Sequence, residues 1–251
     1  MISRSKLKEL CAYRQARQCD ESAVYVAEGP KLAVEAAASS ASLKVCAATA
    51  AWLADHRAEA DRFEQVFEIS EADLERLSQQ KTPAGVWMLI ARPEPQPLDP
   101  DAPLLLALDR LQDPGNLGTI LRIADWFGVR HVVCSDDSAS PYNPKAVQAS
   151  MGAVLRTNVL RVPDLGACLL QTGRTVVGAD LGGSSLYTTA LPARAALVVG
   201  NESRGLSQAV RQILGLRITI PNIGHTAESL NASVATGIIC AEFFRQQALN
   251  R

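Results

Sequence analysis

No apolar run in these 251 residues reaches the ~18 needed to cross a bilayer, so a transmembrane helix is not expected. The opening, MISRSKLKEL, carries charge with no apolar block behind it, which is not the pattern of a signal peptide. A soluble, cytoplasmic chain is expected. Cysteine is sparse, six residues at 11, 19, 46, 134, 168 and 240, with no C-x-x-C pair, which excludes a disulfide-held scaffold. The flanking residues are mostly apolar, as in Val45-Cys46-Ala47 and Val133-Cys134, so these read as small buried hydrophobes in a reducing compartment. Three histidines, 56, 131 and 225, lie too far apart for metal-ligand spacing, and Asp136-Asp137 reads as a solvated turn. No metal is expected. No G-x-G-x-x-G follows an apolar run, and neither G-x-x-x-x-G-K-[ST] nor G-x-S-x-G occurs; this disfavours dinucleotide, P-loop and hydrolase-elbow folds. The net charge of -1 gives no overall attraction to nucleic acid, so such a partner would need a local patch. Arg4, Lys6, Lys8, Arg14 and Arg17 are the candidates, the alternative being an ordinary solvated helix face.

What is present is enough apolar residue for a sizeable core: 47% hydrophobic against 20% charged. The clearest break is Arg92-Pro93-Glu94-Pro95-Gln96-Pro97-Leu98-Asp99-Pro100, whose prolines favour an extended, stiff connector. It suggests a first domain over 1–92, a linker over 93–102 and a second domain over 103–251. In the first, strands are expected at Ala23–Ala27, Leu43–Ala47, Phe63–Ile69 and Val86–Ile90. Glu28-Gly29-Pro30 turns into a helix from Lys31, and Ser70 with Asp73 resembles a capping box. The second repeats strand then helix. Apolar runs at Leu104–Leu108, His131–Cys134, Thr175–Gly178, Ala196–Val199 and Ile218–Ile220 alternate with helical segments at Asn116–Phe127, Lys145–Ala153, Leu206–Leu214 and Leu230–Phe244. Gly128 and Gly215 fall where glycines would release two of those helices. The rhythm predicts a mostly parallel α/β sheet covered on both faces, whose ligands collect beyond the C-terminal strand ends.

Three strand-end segments carry the candidate chemistry. In Asp109–Arg122 the turn Asp113-Pro114-Gly115-Asn116 offers Asn116 as a helix cap, and Arg122 sits in an otherwise apolar helix. That arginine either snorkels outward, pairs structurally, or meets an anion with its planar fork. In Gly200-Asn201-Glu202-Ser203-Arg204-Gly205, Gly200 would admit a cofactor closely and Glu202 would accept from a loop or from Arg122. The bland alternative is a strand-to-helix turn with a capping acid. In Ile220–Ala235 a polar loop leads into a helix crowded with Ala232, Ser233, Ala235, Thr236 and Gly237, with Ser229 and Asn231 at its mouth.

In this order and near these separations, the three segments resemble the motifs of the TrmH/SpoU family of RNA 2'-O-methyltransferases. Asp109, Asn116, Gly118 and Arg122 form the first motif, Gly200-Asn201-Glu202 with Gly205 the second, and Ile220-Pro221 with Ser229–Ala235 the third. Asn222 and Ala232 stand where the family commonly has methionine and valine. Val26-Ala27-Glu28-Gly29 is similar to part of the L30e-like substrate-binding domain often joined to the catalytic one. The resemblance implies a SPOUT-like fold with a C-terminal trefoil knot, S-adenosylmethionine as cofactor and a homodimer formed through the knotted domain. It implies a cofactor site around Ala179, Gly200, Ile220 and Leu230, and catalytic roles for Arg122, Asn116, Glu202, Ser229 and Asn231. The expected substrate is structured RNA: ribosomal, because of the extra N-terminal domain, with guanosine by family precedent and transfer RNA as the alternative. Two further readings stay open: an RNA-binding or assembly protein that has lost turnover, and an unrelated enzyme binding NAD or ATP.

Overall fold

A computed structural model describes residues 2–224 and 228–249. They form two compact units, one of residues 1–94 with 142–155, the other of 95–141 with 156–251. The first contains α1 (Arg4–Cys11), α2 (Ala16–Glu21), β1 (Val24–Glu28), α3 (Pro30–Ala38), β2 (Leu43–Thr49), α4 (Ala50–Asp55), α5 (Arg57–Ala60), β3 (Gln65–Ile69), α6 (Glu71–Leu77) and β4 (Val86–Ala91). The second contains β5 (Leu104–Asp109), α7 (Pro114–Trp126) and β6 (His131–Ser135). The chain then contributes α8 (Pro144–Ser150) to the first unit before β7 (Asn158–Val162), α9 (Leu165–Gln171), β8 (Thr175–Ser185), β9 (Ala195–Gly200), α10 (Gln208–Gln212), β10 (Leu216–Thr219) and α11 (Ala232–Leu249) complete the second.

The first unit is a four-stranded mixed sheet in the order β1-β4-β2-β3. Gly29, at φ 102, turns the chain out of β1, and Pro30 opens α3 with its φ already helical. Ser70 caps α6 by accepting from the Asp73 N–H at 3.1 Å, while the Asp73 carboxylate takes the Ser70 hydroxyl at 2.9 Å. Val26, Val45, Ala47, Trp87 and Leu89 pack against Leu7, Leu10, Leu74 and Leu77 to make the core. Residues 142–155, which periodicity alone puts in the second domain, join this unit through specific contacts. Tyr142 stacks on Tyr25 with ring centroids 5.1 Å apart, the Arg92 guanidinium lies 5.0 Å from the Tyr142 ring, and Gln80 donates to Gln148 at 3.1 Å.

The second unit is a six-stranded sheet in the order β10-β8-β9-β5-β6-β7, parallel throughout. Leu105, Ala107, Ala196 and Val198 pack on Leu165, Leu169, Leu206 and Val210 from α9 and the α10 region. The alternate residues Leu104, Leu106 and Leu108 are equally buried, so both faces are covered. α7 and α11 pack on each other and against β6 and β9. Gly128, at φ 70, releases α7 as expected; Gly215 is not left-handed and instead lets Thr175 approach, its would-be Cβ lying 3.0 Å from Thr175 Cγ2. β7 and α9 carry little periodic signal and are additions to the expected pattern. Burial pushes the thiols of Cys46, Cys134 and Cys240 up to about 12, so they remain protonated apolar groups.

From Gln96 onward the proline segment is not a free spacer. Gln96 exchanges two hydrogen bonds with the Asn158 side chain, at 3.0 and 2.7 Å. Buried Arg174 donates to the carbonyls of Ala102, Asp99 and Pro100, and Arg194 reaches Pro100 as well. Hydrogen bonds from a charged donor net about 1.5–3 kcal/mol each, against about 1–2 kcal/mol to order one residue's backbone. The clamp therefore holds several residues in place. His131 completes it: its Nε2 accepts from the Asp99 N–H at 3.2 Å, and the Asn158 amide nitrogen lies 3.0 Å from Nδ1.

Nε2 of His131 accepts the Asp99 N–H, so an imidazolium would set donor against donor there. Burial lowers its pKa below the ordinary 6.5; nearby Asp99 opposes this, and Arg174 and Arg130 add to it. The unfolded chain therefore takes up a proton at higher pH than the folded one. This contribution to stability is complete above pH 6.5 and is lost as pH falls through the lower folded-state value. Thermal melts at about pH 7.5 and about pH 5 are expected to show a larger fall in Tm for wild type than for His131→Asn; equal falls would contradict this account.

Candidate active site

The α7 N-terminus begins at Pro114, whose ring presets a helical φ, so the cap is Asp113, three residues before Asn116. Asp113 Oδ1 accepts the Asn116 N–H at 2.7 Å. The expectation that Asn116 caps the helix is thus corrected: its main chain is bound, and its side chain is left for other work. Buried Asp109, at the end of β5, accepts the Ser207 N–H at 2.5 Å and ties this strand end to the start of α10. Its neighbour Arg110 adopts φ 59, donates its N–H to Ser135 Oγ at 2.8 Å and offers its carbonyl to Asn201 Nδ2 at 3.0 Å.

After β9 the chain closes a tight turn. Asn201 and Gly205 exchange main-chain bonds at 3.1 and 2.8 Å, and Asn201 Oδ1 accepts from the N–H groups of Ser203 and Arg204, both at 3.0 Å. A Cβ on Gly200 would lie 2.5 Å from the Gly205 carbonyl carbon. The close approach at Gly200 is therefore made by the chain's own turn, not by a cofactor alone. This turn carries Glu202.

Side chains from the three segments meet. Asn116 Nδ2 donates to Glu202 Oε1 at 2.7 Å, and Asn231 Nδ2 donates to Asn116 Oδ1 at 2.8 Å. Asn231 is in turn held by the α11 N-terminus, its Oδ1 accepting from Ser233 N at 2.9 Å, Ser233 Oγ at 2.6 Å and Val234 N at 3.3 Å. Glu202 thus takes its hydrogen bond from Asn116 and not from Arg122. Arg122 is exposed on α7 and makes no hydrogen bond or ion pair among the described residues. Ser229 is exposed and likewise without a hydrogen bond among them. His225, Thr226 and Ala227 of the third segment lie outside the described residues.

The four expected cofactor residues stand around neighbouring strand ends. Ala179 is the first residue past the last β8–β9 pair, Gly200 ends β9, Ile220 follows β10, and Leu230 precedes α11. The first three are half-buried and Leu230 is exposed. The nearby carboxylate of Asp180 is occupied by Arg211 at 2.7 Å. In the first unit the basic candidates are less uniform than their sequence suggests. Lys6 pairs with Glu9 and Arg17 with Glu21, both at 2.7 Å, and Arg14 donates to the Arg76 carbonyl at 3.0 Å. Arg4 and Lys8 are exposed, with no ion pair among the described residues.

Fold and motif geometry together agree with the comparisons. The SpoU rRNA methylase family matches residues 103–241, more than half of the chain, and an MRM3-like substrate-binding domain matches residues 4–87. The chain belongs to the SpoU rRNA methylase family. A TrmH-family protein from Porphyromonas gingivalis superposes with a TM-score of 0.85 at 39% identity, covering 98% of this chain and 99% of that one. An AdoMet-bound rRNA methyltransferase from Sinorhizobium meliloti gives 0.85 at 27% identity, covering 98% and 97%. An uncharacterized tRNA/rRNA methyltransferase of Mycolicibacterium gilvum is 36% identical over 204 residues, 76% of this chain and 65% of that protein. The 23S rRNA (guanosine-2'-O-)-methyltransferase RlmB of Neisseria meningitidis is 37% identical over 153 residues, 59% of this chain and 61% of that one. The chain thus spans just under two thirds of the length of these curated relatives.

Three residues that shape the family site escape a reading by residue chemistry alone: Asp113, Asn201 and Ser233. Each had a local signal. Asp113 precedes a proline, Asn201 lies four residues before a glycine, and Ser233 sits two residues after the cap Asn231. The Gly200 contact is directly testable. Gly200→Ala must displace the Gly205 backbone, and overpacking of this kind costs roughly 1–3 kcal/mol. Urea denaturation should read that loss; an unchanged midpoint would show that the turn has room to spare.

Proposed function

We propose that this protein transfers a methyl group from S-adenosylmethionine to a ribose 2'-hydroxyl of structured RNA. One observation carries the reading: the Glu202–Asn116–Asn231 chain locks three strand-end segments together, and the helix that supplies Asn116 also carries an exposed arginine, Arg122, that has no partner among the described residues. A cation kept unpaired on the helix that anchors a rigid polar cluster suits an anionic substrate such as an RNA phosphate.

The strand ends fit the cofactor's chemistry. Ala179, Ile220 and Leu230 offer apolar contact to a flat adenine, and Gly200 adds no side chain. When bound, S-adenosylmethionine supplies a methyl group made electrophilic by its positive sulfur. The chain's own contribution is alignment, which in principle lowers a barrier by ~7–11 kcal/mol. Arg122 binds the target phosphate and the 2'-oxygen. The hydroxyl proton leaves by one of two routes: to the arginine acting as base, a demanding role for a guanidinium, or to the adjacent phosphate while the guanidinium holds both groups. Asn116 and Glu202 fix the α7 end against the 201–205 turn. Ser229 and Asn231 hold the nucleotide and the loop before α11.

The substrate inferred is ribosomal RNA, with guanosine the preferred nucleotide. The matched N-terminal substrate-binding domain and the relative named as a 23S rRNA guanosine methyltransferase support it. Arg4 and Lys8 are the unpaired cations of the first unit's opening helix available to RNA. A homodimer is inferred from apolar residues left uncovered on α11 and its neighbour: Val234 and Ala241 are exposed, Ile238 half-exposed, and Trp126 on the adjoining α7 is 85% exposed. A trefoil knot fits the chain path. β10 meets β8 so closely that a Cβ on Gly183 would lie 2.6 Å from the Ile218 backbone, and Gln246 of α11 is bound beneath residues 189–191. No helix among the described residues is long and apolar enough to cross a membrane.

Arg122→Ala is expected to abolish tritiated methyl transfer to bulk RNA while S-adenosylmethionine affinity by calorimetry stays within about threefold. Undiminished turnover in that variant would remove Arg122 from the chemistry. Mapping 2'-O-methyl sites with and without the protein would then identify the nucleotide.

A further inference from the structure

The chain of side chains running from α11 to Glu202 has a direction. A carboxamide has a donor end and an acceptor end, and the two differ only by a flip. At Asn231 the choice is forced by two main-chain donors on Oδ1, the Ser233 N–H at 2.9 Å and the Val234 N–H at 3.3 Å, and the Ser233 hydroxyl adds a third bond at 2.6 Å. The two N–H groups are among those that no helix can satisfy internally at its first turn. Flipping Asn231 would set its NH2 against both N–H groups, although the Ser233 hydroxyl could turn to accept. Its nitrogen must therefore point outward, to Asn116 Oδ1 at 2.8 Å. Asn116 then has no freedom either. Its remaining end, Nδ2, meets Glu202 Oε1 at 2.7 Å. Reversing Asn116 would set amine against amine at Asn231 and carbonyl against carboxylate at Glu202. Only one arrangement of the two amides satisfies every contact, and it ends on an acceptor-only group.

We propose that Ser233 is a positioning residue for the reaction, latching this directed chain and, through Asn231 and Asn116, holding Glu202 and its turn in the productive place. Ser233 is 6% exposed, so water does not compete well for its hydroxyl. Its Oγ also lies 3.5 Å from Asn116 Oδ1, within reach of both amide oxygens. It donates the shortest of the three bonds at Asn231 and is the one side-chain donor there among the described residues. Asn231 Oδ1 keeps two main-chain donors when that hydroxyl is removed, so the fold survives and the geometry of the chain loosens. The kinetic consequence rests on the methyl-transfer reading above; the structural one rests on hydrogen-bond geometry alone.

The test compares Ser233→Ala with Ser233→Thr, which retains a hydroxyl, using full-length protein, S-adenosylmethionine and bulk ribosomal RNA. Ser233→Ala should lower kcat about tenfold with both KM values within about twofold, and Ser233→Thr should recover most of the loss. Side-chain amide resonances of Asn116 and Asn231 provide a readout independent of turnover. Their protons should exchange slowly with solvent in wild type and in Ser233→Thr, and measurably faster in Ser233→Ala. Wild-type kcat in Ser233→Ala, or a loss that threonine does not restore, overturns the proposal. If wild type methylates no RNA, the proposed function fails, and the amide exchange decides the latch by itself: faster exchange in Ser233→Ala supports it, unchanged exchange overturns it.

Discussion

Backbone meets backbone at two strand ends with no side chain between, and the geometry of the site depends on it. A methyl group on Gly200 would strike the main chain of Gly205, and one on Gly183 would strike that of Ile218. The first contact folds residues 201–205 back on β9, which brings Glu202 to Asn116. The second draws β10 against β8 where the register shifts between Arg217 and Ile218. Side chains at either place would push apart the strand ends that the candidate residues line.

On that base the polar groups divide into those that are bound and those that are left free. Asp109 holds the start of α10, Asp113 caps α7, Asn201 closes its own turn, and Asn116, Glu202, Asn231 and Ser233 satisfy one another. Arg122 takes part in none of this among the described residues. A cation already paired with a neighbouring carboxylate would have to break that pair to meet a phosphate. The structure avoids the conflict by giving Glu202 to Asn116, which lies on the same helix as Arg122 but carries no charge.

The segment joining the two units shows how far composition can mislead about mobility. Its prolines suggest an extended spacer, and extended it is, but Arg174, Arg194, Asn158 and His131 hold it from Gln96 to Ala102. The same holds for residues 142–155. Nothing in their periodicity distinguishes them from the helices around them; the stacking of Tyr142 on Tyr25 decides where they pack.

Legible in the amino-acid order were the elements with strong period and punctuation: the buried strands β5, β6 and β9, the helices α7 and α11, the α6 cap at Ser70, and the three segments whose residues resemble a known family. These follow from local chemistry, because side-chain alternation, proline and glycine act within a few residues. Tertiary structure decided the rest: that Asp113 and not Asn116 caps α7, that Glu202 accepts from Asn116 and not from Arg122, that Gly200 makes room for the chain itself, and that Ser233 completes the cluster. Residues 116 and 231 are distant in sequence and bonded in space. Hydrogen-bond direction between such residues is set by which strand ends converge, and no local pattern encodes that.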